Sequence, residues 1–290
     1  MKTRDVKYDK SGLAVYYPGT DILMYRLDMS FFEKDVRYGL FKKGLLGLMR
    51  KVSGLCAVVN ESAINCHQGT AAMIDYINAG QPHGILDKMI MYGSLNAVSS
   101  RVTKIEQVVE SLSQYILQEK GSIEIFEAGC GFIRIPLFIL SSCQKRDSYS
   151  FYYFGVDTNH QVIETSEKNI EHEQLHGKLT VAGTDALESL EKSDRSFDMI
   201  IAEGVMEYWD RPYYTRFVRE SYEHLYSGGA LIGTATHAIP KRKMAEFFLG
   251  TNIEPRSREE FKEIFSSGGF KEIELVQTTS PTMSIGIARK

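Results

Sequence analysis

Two rhythms of apolar and polar positions run along this chain, and they change over near residue 120. Before it, apolar residues recur at helical spacing: Ile105, Val108, Val109, Leu112 and Ile116 fall on one face of a helix expected over 103–118. Further helices are expected over 71–79, ended by Gly80-Gln81-Pro82, and over 84–100. Nearer the start, Leu13–Tyr17 reads as a short strand, Pro18-Gly19 as a turn, Asp21 as a helix cap, and 22–60 as short helices. After Gly121 the rhythm changes to short apolar runs: Ile123–Phe126, Ser150–Val156, a run from Leu179, another from Phe197 to Ala202, and Ala230–Thr236. Helix-compatible segments at 134–145, 159–172, 186–191 and 212–226 separate them. Apolar runs alternating with helices predict a parallel sheet covered on both faces. Ser257-Arg-Glu-Glu260 is a capping box opening a helix to about Ser267, and Gly268-Gly269-Phe270 leads into two closing strands, Ile273–Thr278 and Met283–Ala288.

The pattern therefore divides the chain into a mainly helical extension, residues 1–120, and an α/β domain, residues 121–290. The expected sheet has seven strands, mostly parallel, with helices on both faces. An apolar helix face must bury against something. The extension is thus expected to cover the mouth of a site, with Tyr16, Tyr17, His67 and Tyr92 interspersed there, or to pair two copies as a homodimer.

Composition narrows the partners. The net charge of −3 over 290 residues provides no field to attract nucleic acid. Residues 1–60 hold 11 Lys/Arg against 6 Asp/Glu, read as a solvated basic face in preference to an anionic-partner site. The cysteines, at 56, 66, 130 and 143, form no Cys-x-x-Cys, and Cys66-His67 lacks partners at zinc-ligand spacing. Reduced thiols, a cytoplasmic location and no bound metal are expected. No signal-peptide core and no membrane-spanning run is visible.

The candidate chemistry gathers at Glu127-Ala-Gly129-Cys-Gly131, between the first strand and its helix. Glycine permits positive φ and close approach of a ligand to backbone, and the helix start offers free N–H groups. A glycine-tightened turn with no ligand is the competing reading. A dinucleotide loop wants a small residue where Arg134 stands, and Glu127 suits a cationic ligand better than a pyrophosphate. An acidic strand end beside Gly-x-Gly resembles motif I of the class I S-adenosylmethionine-dependent methyltransferases, which are Rossmann-like. Ile133 replaces the usual third glycine of that motif.

Later segments extend the resemblance over 120–290. Asp157-Thr158 ends the second strand where this family binds the ribose, although Asp157 could instead cap the following helix. Asp185-Ala186 leaves the third strand where the family meets adenine, with capping of 186–191 as the alternative for Asp185. Phe197-Asp198 before an aliphatic run, then Glu203, matches the family's fourth strand beside the reactive methyl. Enzymes that methylate base amines carry Asp/Asn-Pro-Pro-Tyr/Phe there; this chain has Glu203-Gly-Val-Met206, and it has no Pro-Cys nucleophile of the kind used on pyrimidine C5. The segment from His237 to Pro255 is where the family inserts a substrate-side cover.

The resemblance implies S-adenosylmethionine as methyl donor, S-adenosylhomocysteine as product, and methyl transfer to an oxygen or nitrogen of a small-molecule acceptor. A protein or RNA acceptor, or a non-catalytic binding protein, are the alternatives. A base is needed only for a protonated acceptor. Glu207 and His237 are the candidates, each equally readable as a satisfied polar residue. Arg101 could meet the donor's carboxylate or be a solvated helix charge.

Overall fold

A computed structural model describes residues 84–142, 149–175, 178–237, 253–279 and 283–290, with side chains from Ser100 onward except Ser142. The expectations for residues 1–83 and for residues 238–252 of the expected cover lie outside the described residues, as do Tyr16, Tyr17, His67, the side chain of Tyr92, and Cys56, Cys66 and Cys143.

The elements in order are α1 (Gly84–Lys120), β1 (Ser122–Ala128), α2 (Arg134–Ser142), β2 (Ser150–Asp157), α3 (His160–His172), β3 (Leu179–Gly183) and α4 (Ala186–Glu191). There follow β4 (Phe197–Ala202), a 3-10 turn (Met206–Tyr208), α5 (Arg211–His224), β5 (Leu225–Thr236), α6 (Arg258–Ser267), β6 (Glu272–Gln277) and β7 (Met283–Arg289). The strands make one seven-stranded sheet in the order β3-β2-β1-β4-β5-β7-β6. β1 to β5 are mutually parallel, and β7 runs antiparallel to both β5 and β6. The strand order reverses between β1 and β4, so a crevice opens beyond their carboxyl ends.

Alternation along the strands builds two cores. Ile123 and Ile125 of β1, Met199 and Ile201 of β4 and Ile232 of β5 face α1, α2 and α3. Phe126 and Ala128, Ile200 and Ala202, and Leu231 face the other way, onto Leu187 and Leu190 of α4, Tyr214 and Phe217 of α5, and Phe261 and Phe265 of α6. Each buried aliphatic or aromatic side chain contributes about 1.5–3 kcal/mol, so these two layers are the main stabilising term.

Two segments differ from the sequence expectation. The helices expected over 84–100 and 103–118 are one continuous helix, α1, with no proline to interrupt the stretch. Ile105, Val109 and Leu117 of α1 sit in the same core as Ile123 and Ile125, so the end of the helical extension packs as part of the α/β domain. The turn expected at residues 226–229 lies within β5, which begins at Leu225. A register shift between Phe197 and Met199 lets those residues bulge from the ladder.

The family-like Phe197-Asp198 pair lies at the opposite end of β4 from the crevice. Asp198 pairs with Lys120 and accepts the Glu124 N–H at 3.0 Å, tying the end of α1 to β1 and β4.

Candidate functional site

The loop after β1 is held from three directions. The Cys130 N–H donates to the Val156 carbonyl at 3.0 Å, continuing the strand pairing one residue into the loop. The Gly131 N–H donates to Asp157 Oδ2 at 3.3 Å, and the Ser166 hydroxyl donates to the Gly131 carbonyl at 2.8 Å. Gly129, Gly131 and Ile133 all have positive φ, at 66°, 53° and 53°. Gly129 is required by packing as well as by φ: a Cβ there would lie 2.2 Å from Val205 Cγ1, on the loop after β4. Ile133 holds a left-handed conformation that costs an L-residue about 1–2 kcal/mol, and more for a β-branched one. Its side chain is fully buried, which offsets that cost.

Asp157 is fixed at the end of β2 by backbone donors. Its Oδ1 accepts the Asn159 N–H at 2.9 Å and its Oδ2 accepts Gly131. The cap of α3 is Asn159, whose side chain accepts from Gln161 and Val162, so the capping alternative for Asp157 is not realised. Burial raises the Asp157 pKa against the opposing pull of those two N–H groups. Thr158 beside it is exposed. Asp185 does cap α4: its Oδ1 accepts the Leu187 and Glu188 N–H groups, both at 3.0 Å. Its Oδ2 accepts the Tyr213 hydroxyl at 2.8 Å, a contact across to α5. Ala186 is buried at the first position of the helix.

The β4 side is built from charge pairs instead. Arg101 on α1 is only 4% exposed, so it is no solvated helix charge. Its Nη1 donates to Glu207 Oε1 at 2.9 Å, and its Nε lies 3.6 Å from Glu203 Oε1. Arg134 Nη2 donates to Glu203 Oε2 at 2.7 Å, and its Nη1 pairs with Glu106 of α1. The Thr234 hydroxyl donates to Glu207 Oε2 at 3.1 Å and accepts the Gly204 N–H at 2.9 Å. Arg101 Nε and Glu203 Oε1 are the two atoms of this network that have no hydrogen-bond partner. The two atoms form an ion pair without a hydrogen bond, so each keeps capacity for one to a polar ligand atom.

His237, at the end of β5, stands apart from these pairs. Its Nδ1 is 3.0 Å from the Arg256 carbonyl and its Nε2 2.7 Å from the Ser284 hydroxyl. Burial lowers its pKa, so it is neutral at pH 7. A carbonyl can only accept, so Nδ1 carries the proton and Nε2 accepts from Ser284. Both base candidates therefore already have partners: Glu207 has Arg101 and Thr234, and His237 has Arg256 and Ser284.

Glu127 is buried beneath the loop and accepts the Tyr153 hydroxyl at 2.6 Å. It lies within electrostatic reach of Glu203, Arg134 and Asp157, so three carboxylates from three adjacent strand ends converge around the glycine loop. Sequence reasoning missed Tyr153, Thr234 and Tyr213 as members of the site. Their signal was hidden, because each sits in a strand or helix whose apolar pattern explains it without chemistry. Among the described residues no group of three His, Cys, Asp or Glu is placed to hold a metal ion, and no helix is long and apolar enough to cross a membrane.

Residues 125–229 match a family model described as "Methyltransferase domain". Over those residues the chain is similar to methyltransferase domains. The strand order and the antiparallel β7 agree with that assignment. Solved structures share the fold at low identity. An O-methyltransferase family protein from Burkholderia thailandensis is 13% identical with a TM-score of 0.50, over 68% of this chain and 58% of its own. A possible exported protein from Bordetella parapertussis is 14% identical with a TM-score of 0.50, over 63% and 67%. Magnesium protoporphyrin IX methyltransferase from Synechocystis, solved with S-adenosylhomocysteine bound, is 14% identical with a TM-score of 0.48, over 66% and 86%. The chain spans only 50–56% of the length of several others. No curated protein sequence matches this one.

Proposed function

We propose that the chain is an S-adenosylmethionine-dependent methyltransferase that moves a methyl group to an oxygen or nitrogen of a small-molecule acceptor. The observation that carries this reading is the convergence of Glu127, Asp157 and Glu203 around the glycine loop at the switch in strand order. Asp157 and Glu203 beside the loop, with Glu127 able to ionise beneath it, favour a ligand with positive charge over a pyrophosphate, and S-adenosylmethionine has positive charge at its sulfonium and ammonium groups. Asp157 would accept the ribose hydroxyls with the lone pairs its two N–H donors leave free. Asp185, with the Ala186 N–H, would face the adenine. Arg101 Nε and Glu203 Oε1, which have no hydrogen-bond partner, fit the amino-acid end of the ligand.

When bound, the cofactor supplies a methyl group already activated by the sulfonium. The chain's residues then have to align the acceptor with that methyl and exclude water. The neutral Nε2 of His237 could take a proton from an acceptor hydroxyl only by giving up Ser284, and Glu207 only by loosening from Arg101. An acceptor that reacts without a base suits this arrangement best.

Calorimetric titration with S-adenosylmethionine and S-adenosylhomocysteine tests the reading. Asp157→Ala should weaken binding by about 2–3 kcal/mol, as expected when hydrogen bonds to a charged group are lost. Wild-type affinity in a folded Asp157→Ala protein removes Asp157 from the site. Absence of binding by the wild type removes the function.

A further inference from the structure

Glu127 and Tyr153 form a buried pair that the loop motif alone does not require. In the β1–β2 register Glu127 lies opposite Gly155 and Ile125 opposite Tyr153, so Glu127 and Tyr153 rise from the same face two positions apart. Gly155 makes the pairing possible. A Cβ there would lie 2.6 Å from the Tyr153 hydroxyl oxygen and 2.7 Å from Cys130 Cβ, blocking the path of the tyrosine to Glu127. Glu127 is 3% exposed and Tyr153 is fully buried, so the 2.6 Å bond between them is shielded from water.

We propose that Tyr153 is a positioning residue for the cationic end of the methyl donor: it aims Glu127 at the arriving ammonium group, and binding expels a proton from Glu127 to solvent. This rests on the function proposed above. The charged and titratable groups facing Glu127 are Tyr153 and Asp157 of β2, Cys130 of the loop, Glu203 after β4 and Arg134 of α2. Burial is the largest influence and pushes Glu127 up to about 8, with Glu203 and Asp157 adding to it. Tyr153 and Arg134 act the other way, favouring the carboxylate. The free protein at neutral pH therefore holds Glu127 protonated, and a cation beside it reverses the balance. No bond to the ligand forms: an ion pair replaces an O–H bond, and the proton goes to buffer.

The test is calorimetry of S-adenosylmethionine binding at pH 6 to 7, in two buffers of different ionisation enthalpy. An α-amino group, with a pKa of about 7.7–8.0, stays mostly protonated there. The wild type should release close to one proton per ligand and bind about tenfold more tightly at pH 7 than at pH 6. Glu127→Gln keeps an acceptor for Tyr153 but cannot titrate, and should show neither effect. Tyr153→Phe should bind several-fold more weakly at pH 7 and go on tightening above the pH at which the wild type levels off. Flat wild-type affinity without proton release overturns the proposal and leaves the methyltransferase reading standing. A Tyr153→Phe profile identical to the wild type overturns the role of Tyr153. If Tyr153→Phe does not fold, the contrast between wild type and Glu127→Gln still decides the proton linkage. No wild-type binding at any pH overturns both readings.

Discussion

The β1–β3 side and the β4–β5 side of the crevice are both lined by carboxylates, but they are held by different physics. Asp157 and Asp185 are fixed by backbone N–H groups two or three residues on, helped by single contacts from residues distant in sequence, Gly131 and Tyr213. Glu203 and Glu207 are fixed by guanidinium groups from far away in the chain, at sequence separations of 106 for Arg101 and Glu207 and 69 for Arg134 and Glu203. The first arrangement assembles with its own strand and helix. The second needs other elements in place: Arg101 comes from α1, Arg134 from α2 and Thr234 from β5. One side is held by local structure, and the other ties the loop after β4 to α1 and α2.

The largest test of that contrast is Arg101→Met. Removing one partner of a buried ion pair leaves charges without compensation and typically costs about 3–5 kcal/mol. Both Glu203 and Glu207 lose a partner here. Asp157→Ala, at a partly exposed rim, should cost far less stability while harming binding. Urea denaturation of the two variants is the measurement, and equal losses would erase the distinction between the two sides.

The same contrast explains what the sequence could disclose. The strands, the glycine loop and the acidic strand ends were legible because each is written in a few adjacent residues. So were the Asp185 cap and the Ser257-Glu260 capping box, whose Ser257 hydroxyl accepts the Glu260 N–H at 3.0 Å. Arg101 was legible as a candidate but not in its partners, because nothing local says that a helix residue will meet two glutamates of a distant loop. Tyr153 read as one more aromatic in a Phe-Tyr-Tyr-Phe strand. The start of β5 was hidden because Tyr226-Ser-Gly-Gly229 has the composition of a helix exit, yet the sheet accepts it as a bulge.

A second test, of intermediate size, uses pH. Glu127 is raised from 4.5 to about 8 by burial, so between those values the native state holds a proton that the unfolded chain does not. Stability contributed by Glu127 must then fall as pH rises through that window, by at most about 1.4 kcal/mol per unit. Glu127→Gln removes this slope, so its stability relative to wild type should improve from pH 5 to pH 8. Thermal melts across that range check it, and parallel curves for the two proteins would mean that Glu127 is ionised in the free state.

The smallest expected effect lies at Ile133, the residue of the loop that is strained without being a glycine. In ordinary backbone an alanine is more stable than a glycine, by about 0.5–1 kcal/mol in a helix or strand. Ile133 has φ 53°, where a Cβ is itself the source of strain. Ile133→Ala and Ile133→Gly both lose the buried side chain and leave nearly the same cavity, so their difference isolates the backbone. The glycine variant should be the more stable of the two by about 1 kcal/mol, the reverse of the usual order. Both should be less stable than wild type, because burial of the isoleucine outweighs the strain it imposes. Denaturation of the pair is the measurement. An alanine variant as stable as the glycine variant would show that the loop relaxes out of the left-handed region once the side chain is gone. The isoleucine, locked into the core beneath, would then be what holds the loop in the conformation that a third glycine holds in the family.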